Sequence, residues 1–394
     1  MIKKIEEVQG KLKALGIDGW LLYDFHKKNS LALDFLAVSS EYVGSRRFFY
    51  WIPQEGEPVK IVHEIEKEVL DHLPGKKCIY LRWETLHGLL QTVLSSSRKV
   101  AMEYSPDCSI PYISKIDGGT LDLVRKWGAK VVSSDVFLQE YICTLTPSQR
   151  GSLREASLVA QKAFEVGWEA IEQAIVMKTQ ITDWDVQQRI VQFFEKNGML
   201  FDHAPICSVN ASSASPHFIP SQERPVPIRE GDFVLIDLWC KKNAPGSVYV
   251  DLTKVAVVGR EVPEKIAHIF GIVRKAQEQA RKTIAEAFKG NIIIRGCDVD
   301  KVCRQVIVSE GYGEFFTHRT GHNIYTEVHG PGTHLDDLET HDDRPLFKGS
   351  CYSIEPGIYL PGEFGLRLEY NIYIDERGAV EVIGGQQDRI KTFF

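Results

Sequence analysis

Ile2, Ile5, Val8, Leu12 and Leu15 recur at three- and four-residue steps, which predicts an amphipathic helix over 2–15 ended near Gly16. Gly19-Trp-Leu-Leu-Tyr-Asp24 reads as a buried strand. Arg47–Ile52 and Val59–His63, separated by Pro53-Gln-Glu-Gly-Glu-Pro58, read as a hairpin. Residues 65–73 and 84–95 read as helices, Lys99–Glu103 as a strand and Gly118–Trp127 as a helix. This alternation up to about residue 140 predicts an α/β unit. A second pattern opens at Thr146-Pro147, where threonine suits the N-cap and proline the first helical position. It predicts helices to about Met177 and from Thr182 to Gly198, then strands at 232–239 and 248–258. Helices at 263–289 and 298–311 follow, with strands at 350–359 and 366–375.

The order helix, helix, strand, strand thus occurs twice, and its intervals match. Gly198 follows Asp185 by thirteen positions, and Gly311 follows Asp298 by thirteen. Glu355 lies 118 positions after Asp237, Glu369 lies 118 after Asp251, and Gly349 lies 118 after Gly231. An internal duplication is the economical explanation, and it places related strands about a pseudo-twofold axis.

At 394 residues the chain exceeds a single core, so two domains are expected, 1–143 and 144–394. A net charge of −6 gives no reason to expect nucleic acid or an acidic membrane as partner. The N-terminus is charged, and no apolar run is long enough to span a bilayer. Eight cysteines are scattered without a C-x-x-C pair, as in a reduced chain. The expected location is cytoplasmic. No glycine-rich phosphate loop is present.

The matched positions of the duplication are acidic. Asp237, Asp251, Glu355 and Glu369 all sit in apolar, β-forming segments, where an unpaired carboxylate costs several kcal/mol. Salt bridges are the plain explanation, yet these segments hold few basic residues besides Arg367. Between the repeats' last strands lies His318-Arg-Thr-Gly-His322-Asn-Ile-Tyr-Thr-Glu-Val-His329, three of the chain's twelve histidines, read as a loop running into a strand. Four carboxylates and a histidine form an oxygen-rich set suited to two divalent ions. Mn²⁺ is the first choice, and Co²⁺, Fe²⁺ and Zn²⁺ are also accommodated by such donors. Two such ions equip a site for hydrolysis.

Ser215-Pro-His217, Val234-Leu-Ile-Asp237-Leu, Asp251-Leu-Thr, His318-Arg-Thr-Gly-His322, Val328-His329, Ile354-Glu355-Pro-Gly-Ile-Tyr359 and Leu366-Arg-Leu-Glu369 together resemble the pita-bread metallopeptidases, the group of methionine aminopeptidase, aminopeptidase P and prolidase. The resemblance covers about 147–385. It implies an α+β pita-bread catalytic domain behind an α/β N-terminal domain. It also implies metal ligands Asp237, Asp251, His322, Glu355 and Glu369, with Glu355 as proton shuttle. His217 and His329 would line the substrate pocket, Arg367 would support it, and His318 would be a supporting or substrate-side residue.

The N-terminal unit points within that group to the proline-specific enzymes, which act as homodimers. The resemblance therefore implies cleavage of Xaa-Pro bonds, by an Xaa-Pro dipeptidase or alternatively by an aminopeptidase P acting on longer peptides. A non-catalytic binding protein on the same fold, or a metal-independent hydrolase of guanidino compounds, is disfavoured by the intact ligand set. Three departures stand out. Lys241–Ser247 looks like an insertion, His203 falls where a tyrosine near the metals is usual, and Tyr370 follows Glu369 where an acid is frequent. A dipeptidase must also read the free carboxylate after proline, for which Arg344, His341 and Arg367 are candidates.

Overall fold

A computed structural model describes residues 2–394, and the chain divides into two compact units, Met1–Ile142 and Cys143–Phe394. In the first, strands β1 (Gly19–Asp24), β2 (Phe48–Pro53), β3 (Val59–His63), β4 (Lys76–Tyr80), β5 (Lys99–Met102) and β6 (Lys130–Ser133) form one mixed sheet in the order β4-β3-β2-β1-β5-β6. Five helices accompany it: α1 (Ile2–Ala14), α2 (Ser30–Leu36), α3 (Trp83–Leu94), α4 (Gly118–Lys126) and α5 (Asp135–Ile142). Leu21, Phe49, Trp51, Ile61, Leu86, Leu90 and Val100 pack a core between sheet and helices. Just past β5, Glu103 is fully buried and accepts hydrogen bonds from Trp20 Nε1 (2.6 Å), Asn29 Nδ2 (2.7 Å) and Ser134 Oγ (3.2 Å).

One expected helix does not form. Residues 65–73 make only the 3₁₀ turn Glu64–Glu66 and a series of i→i+3 bonds, such as Val69 N–H to Glu66 O and Leu73 N–H to Leu70 O. Ile65 is exposed, so the apolar stripe is too short to hold a helix against the core.

The second unit opens with α6 (Pro147–Met177), capped by a reciprocal Thr146–Gln149 pair, and α7 (Asp183–Lys196), capped by Thr182 and Asp185. There follow β7 (Met199–Leu200), β8 (Ile206–Val209), β9 (Phe233–Lys242) and β10 (Val250–Val257). The sequence then returns to α8 (Glu264–Lys289) and α9 (Gly296–Ser309), with β11 (Asn323–Ile324), β12 (Cys351–Ile354), β13 (Gly357–Leu360), β14 (Phe364–Arg367), β15 (Tyr370–Ile374), β16 (Val380–Ile383) and β17 (Lys391–Thr392).

The duplication is written into the hydrogen bonds. Thr182 N–H donates to Asp185 and Arg295 N–H to Asp298. Ile228 N–H donates to Ile181 O, and Leu346 N–H to Ile294 O, both at 2.9 Å. Gly231 and Gly349 both have positive φ and donate at 2.6 Å to Val258 O and Ile374 O.

β9 and β10 pair antiparallel, with β17 beyond β10 and β7 and β8 on β9. The sheet β11-β12-β15-β16 is the second half's counterpart. The halves meet where Thr253 and Glu369 exchange backbone hydrogen bonds. The two long strands expected at 350–359 and 366–375 are each broken in two. Pro356, which disfavours continuation and lacks an N–H, follows the break that holds Glu355. Beyond the breaks, β13 and β14 pair with each other as a separate hairpin. Among the described residues no helix is long and apolar enough to cross a membrane.

Candidate active site

Asp237 and Asp251 lie within β9 and β10, whereas Glu355 and Glu369 occupy the two strand breaks. The β9–β10 register sets Thr253 opposite Asp237 and Asp251 opposite Trp239, so both aspartates and Thr253 share one face. Buried Gln277 of α8 donates 2.9 Å bonds to Ile354 O and Leu368 O, fixing the backbone just before both glutamates. Across the pseudo-twofold, repeat mates trade partners. Thr253 Oγ1 lies 2.8 Å from Glu369 Oε2, and Asn371, its counterpart 118 positions on, accepts from Asp251 N–H and donates to Asp251 O at 2.9 Å.

His322 completes the cluster. Gly321 lets its segment lie against β12, because a Cβ there would stand 2.2 Å from Ser353 O. His322 N–H donates to Ser353 Oγ, and its Nδ1 is 3.2 Å from Asn323 O. A carbonyl can only accept, so Nδ1 carries the proton and Nε2 presents a lone pair. That Nε2 lies 3.2 Å from Glu355 Oε1 and 3.6 Å from Asp251 Oδ2. In the neutral ring that lone pair and the two carboxylate oxygens are all acceptors, a set that a cation would satisfy; in the charged ring the second N–H bridges them instead.

Two further observations agree. Asp251 Oδ1 and Glu369 Oε1 are buried with no hydrogen-bond partner. Donor atoms of Asp251, His322 and Glu369 fall within 4.8 Å of one another. Among the four carboxylates Arg367 pairs with Asp237, through Oδ2, and it also donates to Thr253 Oγ1 (3.1 Å) and Tyr359 Oη (3.0 Å).

The electrostatics follow from burial and like charge. Burial pushes Asp251 up to about 7. Burial and the charges of Asp251, Glu355 and Asp237 raise Glu369 well above the carboxylate range. Burial raises Asp237 against the opposing pull of Arg367. Burial alone would lower His322, yet Asp251 and Glu355 outweigh it and hold the ring up at about 9. Burial would also raise Glu355, but His322, His318 and Arg367 hold it below the usual range. Carboxylates that repel one another and together pull on His322 make a donor set that divalent ions fit.

Around the cluster, the His329 ring stands at 86° to His322 with centroids 4.3 Å apart. His217 is exposed, on the turn after the 3₁₀ segment Asn210–Ala214, within electrostatic reach of His329. His318 is fixed by Tyr359 Oη (2.7 Å from Nε2) and Arg319 O (2.7 Å from Nδ1), and burial pushes it down to about 4. Its Nδ1–H therefore donates to Arg319 O, and the Tyr359 hydroxyl donates to its Nε2.

His203 does not join this group. Its side chain is 76% exposed, 3.5 Å from Asp202, and makes no hydrogen bond or ion pair with the five among the described residues. Of the carboxylate readers considered from sequence, Arg344 is buried and forked onto Asp342 and the carbonyls of Pro331 and Gly332. Arg367 is committed to Asp237 and Tyr359, and exposed His341 to Asp337. Arg344 is a brace because its fork is filled within the loop that carries it.

Thr253, Tyr359, Gln277 and Asn371 were assigned no role from sequence. Thr253 could have been found, because period two puts it on the face of Asp251. Tyr359, Gln277 and Asn371 act through pairings that only the folded chain reveals.

Residues 151–376, more than half of the chain, match Metallopeptidase family M24. An Xaa-Pro dipeptidase from Lactobacillus delbrueckii subsp. lactis is 32% identical over 224 residues, 57% of this chain and 55% of that protein. The match therefore spans little more than half of that relative's length. An uncharacterised peptidase of Staphylococcus epidermidis is 27% identical over 348 residues, 84% of this chain and 86% of its own. The crystal structure of dipeptidase PepE from Mycobacterium ulcerans matches with a TM-score of 0.74 at 19% identity, covering 99% of this chain and 97% of that one. That likeness establishes the fold, an N-terminal α/β domain followed by the pita-bread domain. The chain belongs to metallopeptidase family M24.

Proposed function

We propose that the chain hydrolyses Xaa-Pro bonds as a metal-dependent Xaa-Pro dipeptidase. The observation that carries the metal dependence is the set of four carboxylates, three of them buried, around His322 Nε2, with two carboxylate oxygens left without hydrogen-bond partners. Asp237, Asp251, His322, Glu355 and Glu369 would hold two divalent ions, with Mn²⁺ our choice for so oxygen-rich a set. Such ions supply Lewis acidity, lowering the pKa of water and polarising a carbonyl.

The chain's own groups supply the rest. Glu355, whose side chain keeps 15% exposure, takes the proton of the attacking water and delivers it to the proline nitrogen as that bond breaks. That nitrogen has no N–H of its own, so delivery to it is essential for departure. His329 and His217 flank the approach and donate to the carbonyl oxygen as charge develops on it. Arg367 holds Asp237 in place and is itself aligned by Tyr359.

Arg319 is our choice for reading the free carboxylate after proline. It is largely buried, its pair with half-exposed Glu339 is long at 3.9 Å, and its positive charge is felt at His318, His322, His329 and His334 alike. The reading includes a homodimer, as the family resemblance implies, and a cytoplasmic location, in keeping with the scattered cysteines.

The test is to assay Ala-Pro beside Ala-Pro-Ala with Mn²⁺ added to metal-stripped protein. Ala-Pro should be cleaved and the tripeptide spared. Asp251→Ala should lose both metal and activity, and Arg319→Ala should raise KM for Ala-Pro by about tenfold or more, the cost of a lost charged hydrogen bond. Cleavage of the tripeptide alone would establish the aminopeptidase instead. Metal binding with no cleavage of either would leave a binding protein.

A further inference from the structure

A second group of metal-ligating side chains lies outside the carboxylate cluster. Cys297, in the first turn of α9, and Asp337 and His341, in the loop that follows β11, offer a sulfur, a carboxylate oxygen and an imidazole nitrogen within 4.8 Å of one another. Cys297 is buried, Asp337 half-buried, and His341 exposed. The set is chemically unlike the first. A thiolate and an imidazole beside one carboxylate select a borderline ion of the zinc class, and three protein ligands leave a fourth position for water.

The surroundings favour a cation on balance. Burial and the negative charges of Asp298, Asp337 and Asp343 act on the Cys297 sulfur, charges that a bound cation would offset. Lys301, 3.5 Å from Asp337 Oδ2, is the competing positive charge and would be displaced. Its side chain is 55% exposed, so it can turn to solvent at little cost. His341 Nδ1 now sits 2.5 Å from Asp337 Oδ1. Two ligands on one tetrahedral ion stand roughly 3.3 Å apart at zinc bond lengths. The exposed imidazole would therefore swing outward by under an ångström, exchanging a hydrogen bond for the ion.

The loop also has a structural task beyond these ligands. Asp336 turns it by accepting from the N–H groups of Leu338, Glu339 and Thr340. Asp342 accepts from His334 N–H, and Arg344 donates to Pro331 O and Gly332 O. The segment so held begins at Pro331, two residues past His329. Cys297 N–H, in turn, donates to Asp342 O, tying α9 to the same loop.

We propose that Cys297, Asp337 and His341 form a peripheral binding site for a zinc-class divalent ion, which clamps the 336–344 loop onto the first turn of α9. This assignment does not depend on the peptidase reading, because its signature is sulfur ligation and the carboxylate cluster contains no cysteine.

The test uses the full-length chain, stripped of metal by chelator and loaded with two equivalents of Mn²⁺ before titration with Co²⁺. A thiolate-to-cobalt charge-transfer absorption in the near ultraviolet should grow and saturate at one further equivalent. Cys297→Ser should abolish it. Asp337→Asn and His341→Ala should weaken Co²⁺ binding by about tenfold or more. His341 is exposed, so its replacement leaves the fold intact and carries the test even if the Cys297 variant folds poorly. Absence of the absorption in the native chain would overturn the proposal, as would its persistence in Cys297→Ser or an unchanged affinity in His341→Ala.

Discussion

Tyr359 shows how far the site depends on residues that touch no metal. Its hydroxyl accepts from Arg367, which is buried, and donates to His318, which is half-buried. Tyr359→Phe keeps the ring and removes both bonds, leaving an N–H and a lone pair unsatisfied at about 1–3 kcal/mol each. The expected result is a ten- to hundredfold fall in kcat for Ala-Pro, the range found for groups behind metal ligands, with KM much less changed. Thr253→Val belongs to the same class. The hydroxyl lies 3.0 Å from Asp237 Oδ1 and 2.8 Å from Glu369 Oε2, and its single proton can serve only one of them at a time. Valine fills the volume and removes the bridge, so metal affinity should fall by at least tenfold. Unchanged affinity on direct metal titration would show that the hydroxyl plays no part in holding the carboxylates.

Single groups also govern whole elements. Glu103 ties the end of β5 to β1 through Trp20, to the N-cap of α2 through Asn29, and to Ser134 after β6. Burial pushes its carboxyl up to about 7, above the ordinary 4.5, despite the three donors. The folded unit therefore binds this proton more tightly than the unfolded chain does. Its stabilisation is full below about pH 4.5 and is lost as pH rises to about 7, a difference of roughly 3 kcal/mol. Hydrogen exchange of peptides covering 19–24 and 99–103, corrected for intrinsic rate, should show weaker protection at pH 7.5 than at pH 5. Equal protection at both would mean that the carboxyl titrates normally. β12–β13 and β14–β15 illustrate the same scale in the catalytic unit. Each predicted strand is bent at its glutamate, so a side chain that a straight strand would place in a sheet reaches the cluster instead.

At the scale of the molecule, the second unit gathers four carboxylates, three of them buried, around a pseudo-twofold axis, a concentration of charge that bound cations would relieve. An ion at a hundred times its Kd adds about 2.7 kcal/mol to the folded state. For a unit of this size that corresponds to roughly 5–10 °C in Tm. Chelation should therefore lower the melting transition of residues 143–394 by that amount, and Mn²⁺ should restore it, with 1–142 unaffected. Calorimetry in which neither chelator nor Mn²⁺ moves the transition would contradict the cation requirement.

The sequence by itself determined the duplication, because the spacing of capping acids, turn glycines and acidic strand positions survives as a constant offset. It determined the order of the long helices and strands of the second unit for the same reason, since period and caps are local properties, but in the first unit it missed α2, β4, β6 and α5. It also marked the four carboxylates, because acids in apolar strands are costly wherever those strands pack. Short elements held by distant partners were not legible, and neither was the fate of residues 65–73, where exposure of Ile65 undid the helical pattern. The tertiary structure decided which cations are free to act. Arg344 and His341 looked equivalent to any surface cation until their ion pairs with Asp342 and Asp337 formed. It likewise fixed the His322 tautomer through one backbone carbonyl and left His203 in solvent. Pairings across long stretches of chain set these outcomes, and no local pattern encodes them.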